Sequence, residues 1–109
     1  MTTAYTFELP CQVFGIQDAP DFLYWVSKRL AAGAELLLID LHEVESIDSS
    51  GVGTLMIAKN RAKRVGAHLG LCNVSEEVRL QIDQANLIER FEIFADLADF
   101  KYQIERRER

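Results

Sequence analysis

The sequence predicts an α/β fold built on a mixed, mainly parallel sheet, and three observations carry that prediction. Segments of strand composition alternate with segments of helical periodicity, four of each, from one end of the chain to the other. Such alternation implies parallel strands joined by right-handed crossovers. The run Leu36-Leu37-Leu38-Ile39 is apolar without a break, as expected of a central strand covered on both faces. Each helical segment carries one apolar stripe, so the helices can lie mostly on one face of a sheet of four to five strands. At 109 residues, 49% hydrophobic and 27% charged, the chain fits a single domain over 1–109 and is not disordered in composition.

From Tyr5 to Phe14 the residues favour strand, but Pro10 lacks the N–H that a ladder needs. This segment reads as an edge strand or a short broken hairpin, ended by Gly15. A helix follows, with Asp18 as N-cap and Pro20 in its first turn. Phe22, Leu23, Val26 and Leu30 share its inward face, and Gly33 closes it. After the apolar strand, residues 41–47 read as a loop. A second helix runs from Asp48-Ser49-Ser50-Gly51 to about Val65, closed by Gly66, with Val52, Leu55, Met56, Ala62 and Val65 facing inward. Leu69 to Val74 is the next strand. Ser75 caps a third helix whose first turn holds Glu76 and Glu77, where the macrodipole favours anions. Val78, Ile82 and Leu87 face inward along it. Phe91 to Phe94 is a short strand, and Leu97 to about Arg107 a final helix ending in a basic tail.

A formal net charge of −5 argues against a general affinity for nucleic acid or anionic lipid. No segment reaches the ~18 consecutive apolar residues of a membrane span. The N-terminal residues lack the basic-then-apolar order of a signal peptide, so a cytoplasmic location is expected. Cys11 and Cys72 have no metal-binding spacing and read as free thiols of a reducing compartment. No cofactor is expected.

The chemistry concentrates in Asp48-Ser49-Ser50-Gly51. It follows a central strand and opens a helix, where binding sites form in open α/β sheets. Local chemistry leaves two roles open for the serines. They are N-caps of the helix, assisted by Asp48. Alternatively, they present a hydroxyl to solvent at the positive end of a helix dipole, where an added phosphate is tolerated by the fold and transforms the surface.

The stretch from Leu37 through Ile39-Asp40-Leu41 to Ile47-Asp48-Ser49-Ser50-Gly51-Val52-Gly53 resembles the signature of the STAS domain, and within it that of bacterial anti-sigma factor antagonists. Gly15-Ile16-Gln17-Asp18-Ala19-Pro20 is similar to that family's entry to the first helix. Arg64-Val65-Gly66-Ala67 with the following strand, and Asn86-Leu87 after the third helix, extend the likeness over most of the chain. The resemblance implies a switch. The unphosphorylated protein would bind an anti-sigma factor that is also a serine kinase, phosphorylation at Ser49 would release it, and a serine phosphatase would reset it. Asp48 would shape the acceptor site, Ser50 would cap the helix, and Gly51, Asp18 and Asp40 would lie at the same rim. The sequence departs from the family pattern in two places. Only fourteen residues precede Gly15, which predicts a first strand that is truncated or shared with a partner chain, and Val52 stands where the family commonly has Leu.

Other readings are weaker in residues. A hydrolase triad would need His42 or His68, and the sequence is not Gly-x-Ser-x-Gly. Gly51-Val52-Gly53 is too short for a dinucleotide fingerprint. Asp40, Glu43, Glu45 and Asp48 read as a solvated acidic rim ahead of a divalent-metal site. Lys59, Arg61, Lys63 and Arg64 complement the dipole at the end of their helix. The chain reads as no enzyme. The alternative function is an unphosphorylated scaffold subunit of a larger assembly, of stressosome or lipid-transport type.

Overall fold

The structure is a computed structural model and describes residues 2–108. Met1 and Arg109, which begin the expected N-terminal segment and end the expected basic tail, lie outside the described residues. The strands are β1 (Ala4–Glu8), β2 (Val13–Phe14), β3 (Leu36–Asp40), β4 (Ser46–Ile47), β5 (His68–Cys72) and β6 (Ile93–Phe94). The helices are α1 (Ala19–Ala31), α2 (Ser49–Arg64), α3 (Glu76–Gln84) and α4 (Leu97–Arg107), with 3₁₀ turns at Ile16–Asp18 and Ile88–Arg90.

The main sheet has the order β1-β3-β5-β6, and all its pairings are parallel. The sheet expected to be mixed is thus parallel throughout. β3 lies inside it, and Leu36 to Ile39 are buried on both faces, which is why that run carries no polar residue. Pro10 ends the first strand as expected, but no hairpin forms. The chain leaves the main sheet after β1, and β2 pairs in parallel with β4 as a separate two-stranded sheet. That second sheet corrects the reading of residues 41–47 as a plain loop.

Alternation along β3 and β5 divides the core in two. Leu37, Ile39, Leu69 and Leu71 face α1, α2 and α3, joined by Phe22, Val26, Val52, Leu55, Ala58, Val78 and Ile82. Leu36, Leu38 and Cys72 face the other way and are covered by Phe94 with Phe100 and Ile104 of α4. Helices therefore lie mostly on one face, three against one. Each fully buried Leu or Phe of this set contributes about 1.5–3 kcal/mol relative to exposure.

The helix stops are built as the sequence predicts. After α1, Gly33 (φ +90°) lets its own N–H reach the Leu30 carbonyl while Ala34 N–H reaches Arg29. Asn86 (φ +59°) closes α3 in the same way, with Asn86 N–H on Asp83 and Leu87 N–H on Ile82. Ser75 Oγ accepts from Val78 N–H at 3.1 Å, the expected cap of α3. Val65 does not face inward: it is the residue after the last turn of α2 and is 64% exposed.

Candidate functional site

The site is assembled where β2, β4 and the head of α2 meet. Asp48 keeps extended backbone (φ −94°, ψ 179°), and Ser49 opens the helix. Asp48 Oδ1 accepts from Gly51 N–H at 2.8 Å, and its carbonyl accepts from Val52 N–H at 3.0 Å. Asp48 is the N-cap, which corrects the assignment of that role to Ser50. Ser50 is the second helical residue, and its carbonyl accepts from Thr54 Oγ1 at 2.8 Å.

Ser49, Ser50 and Asp48 are all exposed. The N–H groups of Ser49 and Ser50 precede the first intrahelical bond of α2, so they stand at the positive end of a sixteen-residue helix. Chemically, the place offers an accessible hydroxyl, two donors without intrahelical partners and one neighbouring carboxylate.

Gly51 is buried because the helix head abuts the small sheet. A Cβ there would stand 2.3 Å from the Phe14 carbonyl oxygen and 2.7 Å from Ile47 Cγ1. The docking is reinforced from both sides. Asp48 N–H donates to the Phe14 carbonyl at 3.2 Å, and Ile47 N–H donates to Gln81 Oε1 of α3 at 2.7 Å.

Asp18 joins Asp48 across Gly15. It stands at the start of α1, yet its carboxylate turns back and Oδ2 accepts from Gly15 N–H at 3.2 Å, without capping α1 as expected. A Cβ on Gly15 would lie 2.6 Å from Asp48 Oδ2, so the two acidic side chains flank a bare stretch of backbone. Together with Val13, Ile16 and Gln17 they line a cleft of about 230 Å³. Val13 is 57% and Ile16 68% exposed, an apolar rim beside the acidic one. Sequence reasoning placed Val13 at the end of a strand segment, where β2 lies, and gave Ile16 no role of its own. The signal for Ile16 was its position between Gly15 and Asp18, in a turn too short to bury it.

Asp40 keeps different company. Its Oδ1 accepts from His42 N–H and from Asn73 Nδ2, each at 3.0 Å, and lies 3.1 Å from His42 Nδ1. Burial pushes this carboxyl up, but the hydrogen bonds from Asn73 and His42 outweigh it and hold it below the ordinary range. The same hydrogen bond raises the imidazole of His42. Asp40 thus fixes the loop after β3 and is not brought into the cleft with Asp48 and Asp18. Neither histidine hydrogen-bonds to Ser49: His42 pairs with Asp40, and His68 Nε2 lies 3.8 Å from Glu108 Oε1.

Cys11, on the approach to β2, is a free thiol pushed up to about 11 by burial and by the charge of Asp18. Burial, with Asp40 and Asp96, does the same to Cys72. Among the described residues no three His, Cys, Asp or Glu side chains are grouped to hold a metal ion. Nor is any helix among them long and apolar enough to cross a membrane. In the basic run of α2, Lys59 Nζ donates to the Arg90 carbonyl, and Arg61 Nη1 to Ser27 Oγ at 3.0 Å.

Residues 15–100, a span that holds this site except the strand β2 (Val13–Phe14), match the family model for the STAS domain. No curated protein sequence is significantly similar to the chain. Among solved structures, the chain is similar to the NMR structure of the protein TM1081, with a TM-score of 0.82 at 23% identity over 94% of this chain and 82% of that one. It is likewise similar to the crystal structure of TM1081 from Thermotoga maritima, described provisionally as an anti-sigma factor antagonist, with a TM-score of 0.76 at 22% identity over 92% and 87%. A sulfate transporter family protein from Wolinella succinogenes follows with 0.75 at 19% identity over 88% and 80%. Identities this low establish the fold alone. With the match of the family model over most of its length, the chain belongs to the STAS domain family.

Proposed function

We propose that this chain, acting as one domain, is a phosphorylation-switched protein-binding module, an anti-sigma factor antagonist, and not an enzyme. Unmodified, it binds an anti-sigma factor that is also a serine kinase. Transfer of phosphate from ATP to Ser49 Oγ releases the complex, and a serine phosphatase restores the hydroxyl. The observation that carries this reading is the exposure of Ser49 as the first residue of α2, beside Asp48 and an apolar rim.

The physical logic has two halves. A phosphoserine adds about −1.5 to −2 charges at pH 7, and the N-terminus of α2 is a place where the fold accepts an anion. The partner surface does not accept it. Val13 and Ile16 offer apolar contact, and Asp18 and Asp48 offer negative charge to a basic partner. A dianion added there is desolvated against two carboxylates, and a loss of ~3 kcal/mol already weakens binding more than a hundredfold.

The test is incubation with serine kinases of the same organism and ATP, followed by mass spectrometry of the Asp48-containing peptide and co-purification with Ser49→Ala and Ser49→Asp. The expected outcome is phosphate on Ser49, a partner retained by Ser49→Ala and a partner lost by Ser49→Asp. Stoichiometric assembly that proceeds without modification and ignores Ser49→Asp would instead establish the scaffold reading.

A further inference from the structure

We propose that Gly53 keeps the Ser49 hydroxyl accessible: a phosphate donor reaches it because the residue one helical turn further on has no side chain. Resting on the phosphoacceptor role of Ser49, this assigns to α2 itself the feature that lets a kinase reach the hydroxyl.

In an α-helix each Cα–Cβ bond tilts toward the N-terminus, so a side chain lies over the turn that precedes it. Within α2 the neighbours able to cover Ser49 are therefore Val52 and Gly53, three and four residues on. Val52 turns into the core, where it is 3% exposed and packs with the cluster under α2. Position 53 is exposed. A side chain there would set its Cβ about 5–6 Å from that of Ser49 and lean toward the hydroxyl.

Nothing inside the molecule asks for glycine at this position. The glycines of positive φ are Gly33 and Gly66, so Gly53 serves no left-handed turn. A Cβ on Gly53 meets no heavy atom within 4 Å, whereas one on Gly51 would collide with the Phe14 carbonyl. Glycine also gives up more backbone freedom in a helix interior than alanine does. The fold therefore carries a helix-weakening residue at 53 that no contact within the chain explains. Its effect is felt at Ser49, which both covering positions leave bare.

Phosphoryl transfer makes that bareness matter. Ser49 Oγ bonds to the γ-phosphorus of ATP as the bond from that phosphorus to the departing oxygen of ADP breaks, and the hydroxyl proton passes to a base of the kinase. The attacking and leaving oxygens must stand roughly in line through phosphorus. The donor thus needs a clear path outward from Oγ, and a long side chain at 53 would occupy it.

Two measurements test this. In Ser49→Cys, alkylation by N-ethylmaleimide, followed by mass spectrometry of the peptide containing position 49, reports access without any partner. With Ser49 intact, the rate of phosphate transfer from ATP by the serine kinase of the same organism reports access with the partner in place. Gly53→Leu should slow alkylation at least fivefold and transfer at least tenfold, and Gly53→Gln, of similar reach, should act alike. Gly53→Ala should slow transfer less while raising the melting temperature. Rate and stability then move in opposite directions, whereas a merely structural glycine would move them together. Asn60→Leu, exposed on the same helix eleven residues from Ser49, should leave both rates unchanged. Alkylation indifferent to Gly53→Leu and Gly53→Gln overturns the proposal. So does transfer to Ser49 at one rate in every variant, although phosphate on Ser49 would still uphold the switch. No phosphate on Ser49 of the unaltered protein defeats the switch, and this role of Gly53 with it.

Discussion

Asp48 has two duties at the head of α2. Its Oδ1 closes the helix on Gly51 N–H, and its charge stands beside the Ser49 hydroxyl. Ser50 has neither duty; its exposed side chain can be removed at no structural cost. Asp48→Ala should therefore lower stability by about 0.5–2 kcal/mol, the usual loss of an N-cap, whereas Ser50→Ala should stay within about 0.5 kcal/mol of the unaltered protein. Thermal or urea denaturation checks both, and equal losses would reverse the assignment. The sequence showed that Asp48-Ser49-Ser50 begins a helix. It did not show which of the three is the cap, because that depends on the residue at which ψ turns from extended to helical, and Asp and Ser both cap well.

At the scale of elements, the two glycines of α2 separate what docks the helix from what merely belongs to it. Gly51 faces the small sheet, and a methyl group there would collide with the rigid Phe14 carbonyl. Gly53 faces solvent, and a Cβ there meets nothing within 4 Å. Gly51→Ala should destabilise by about 1–3 kcal/mol through overpacking. Gly53→Ala should stabilise by about 0.5–1 kcal/mol, since alanine loses less backbone freedom in a helix. Denaturation midpoints moving in opposite directions confirm the pair; a shared direction contradicts it. The small sheet itself was hidden from sequence reasoning. Two-residue strands such as Val13–Phe14 and Ser46–Ile47 are shorter than any periodicity can register, and their pairing spans more than thirty residues of chain. Helix ends were legible, because Gly33, Gly66, Ser75 and Asn86 each act through local backbone geometry.

For the molecule as a whole, Asp40 links the loop after β3 to Asn73 after β5, and its pairing with His42 couples stability to pH on both sides. The folded Asp40 carboxyl is held low, so its contribution is present above the ordinary aspartate value of about 3.9 and is lost as pH falls through its folded value. The folded His42 imidazole is raised, so its contribution is complete below the ordinary value of about 6.5 and is lost as pH rises through its folded value. Asp40→Asn should flatten both limbs of a plot of melting temperature against pH and return the His42 titration, followed by NMR, toward its ordinary midpoint. A His42 midpoint that ignores the substitution would contradict the pairing.

What the sequence determined by itself was the alternating order of the main-sheet strands and the helices, the mainly parallel α/β class and the position of Ser49 at the head of a helix. Those follow from periodicity, caps and an unbroken apolar strand, all of which act within a dozen residues. Tertiary structure alone decided that Asp18 meets Asp48 across Gly15 while Asp40 goes to His42 and Asn73, and that Val13 and Ile16 stay exposed. It also decided that β1 is left with an open edge beneath Trp25. The physical reason is distance along the chain. A carboxylate's partners and a strand's neighbours are set by where separate segments dock, and no local pattern of residues encodes that meeting.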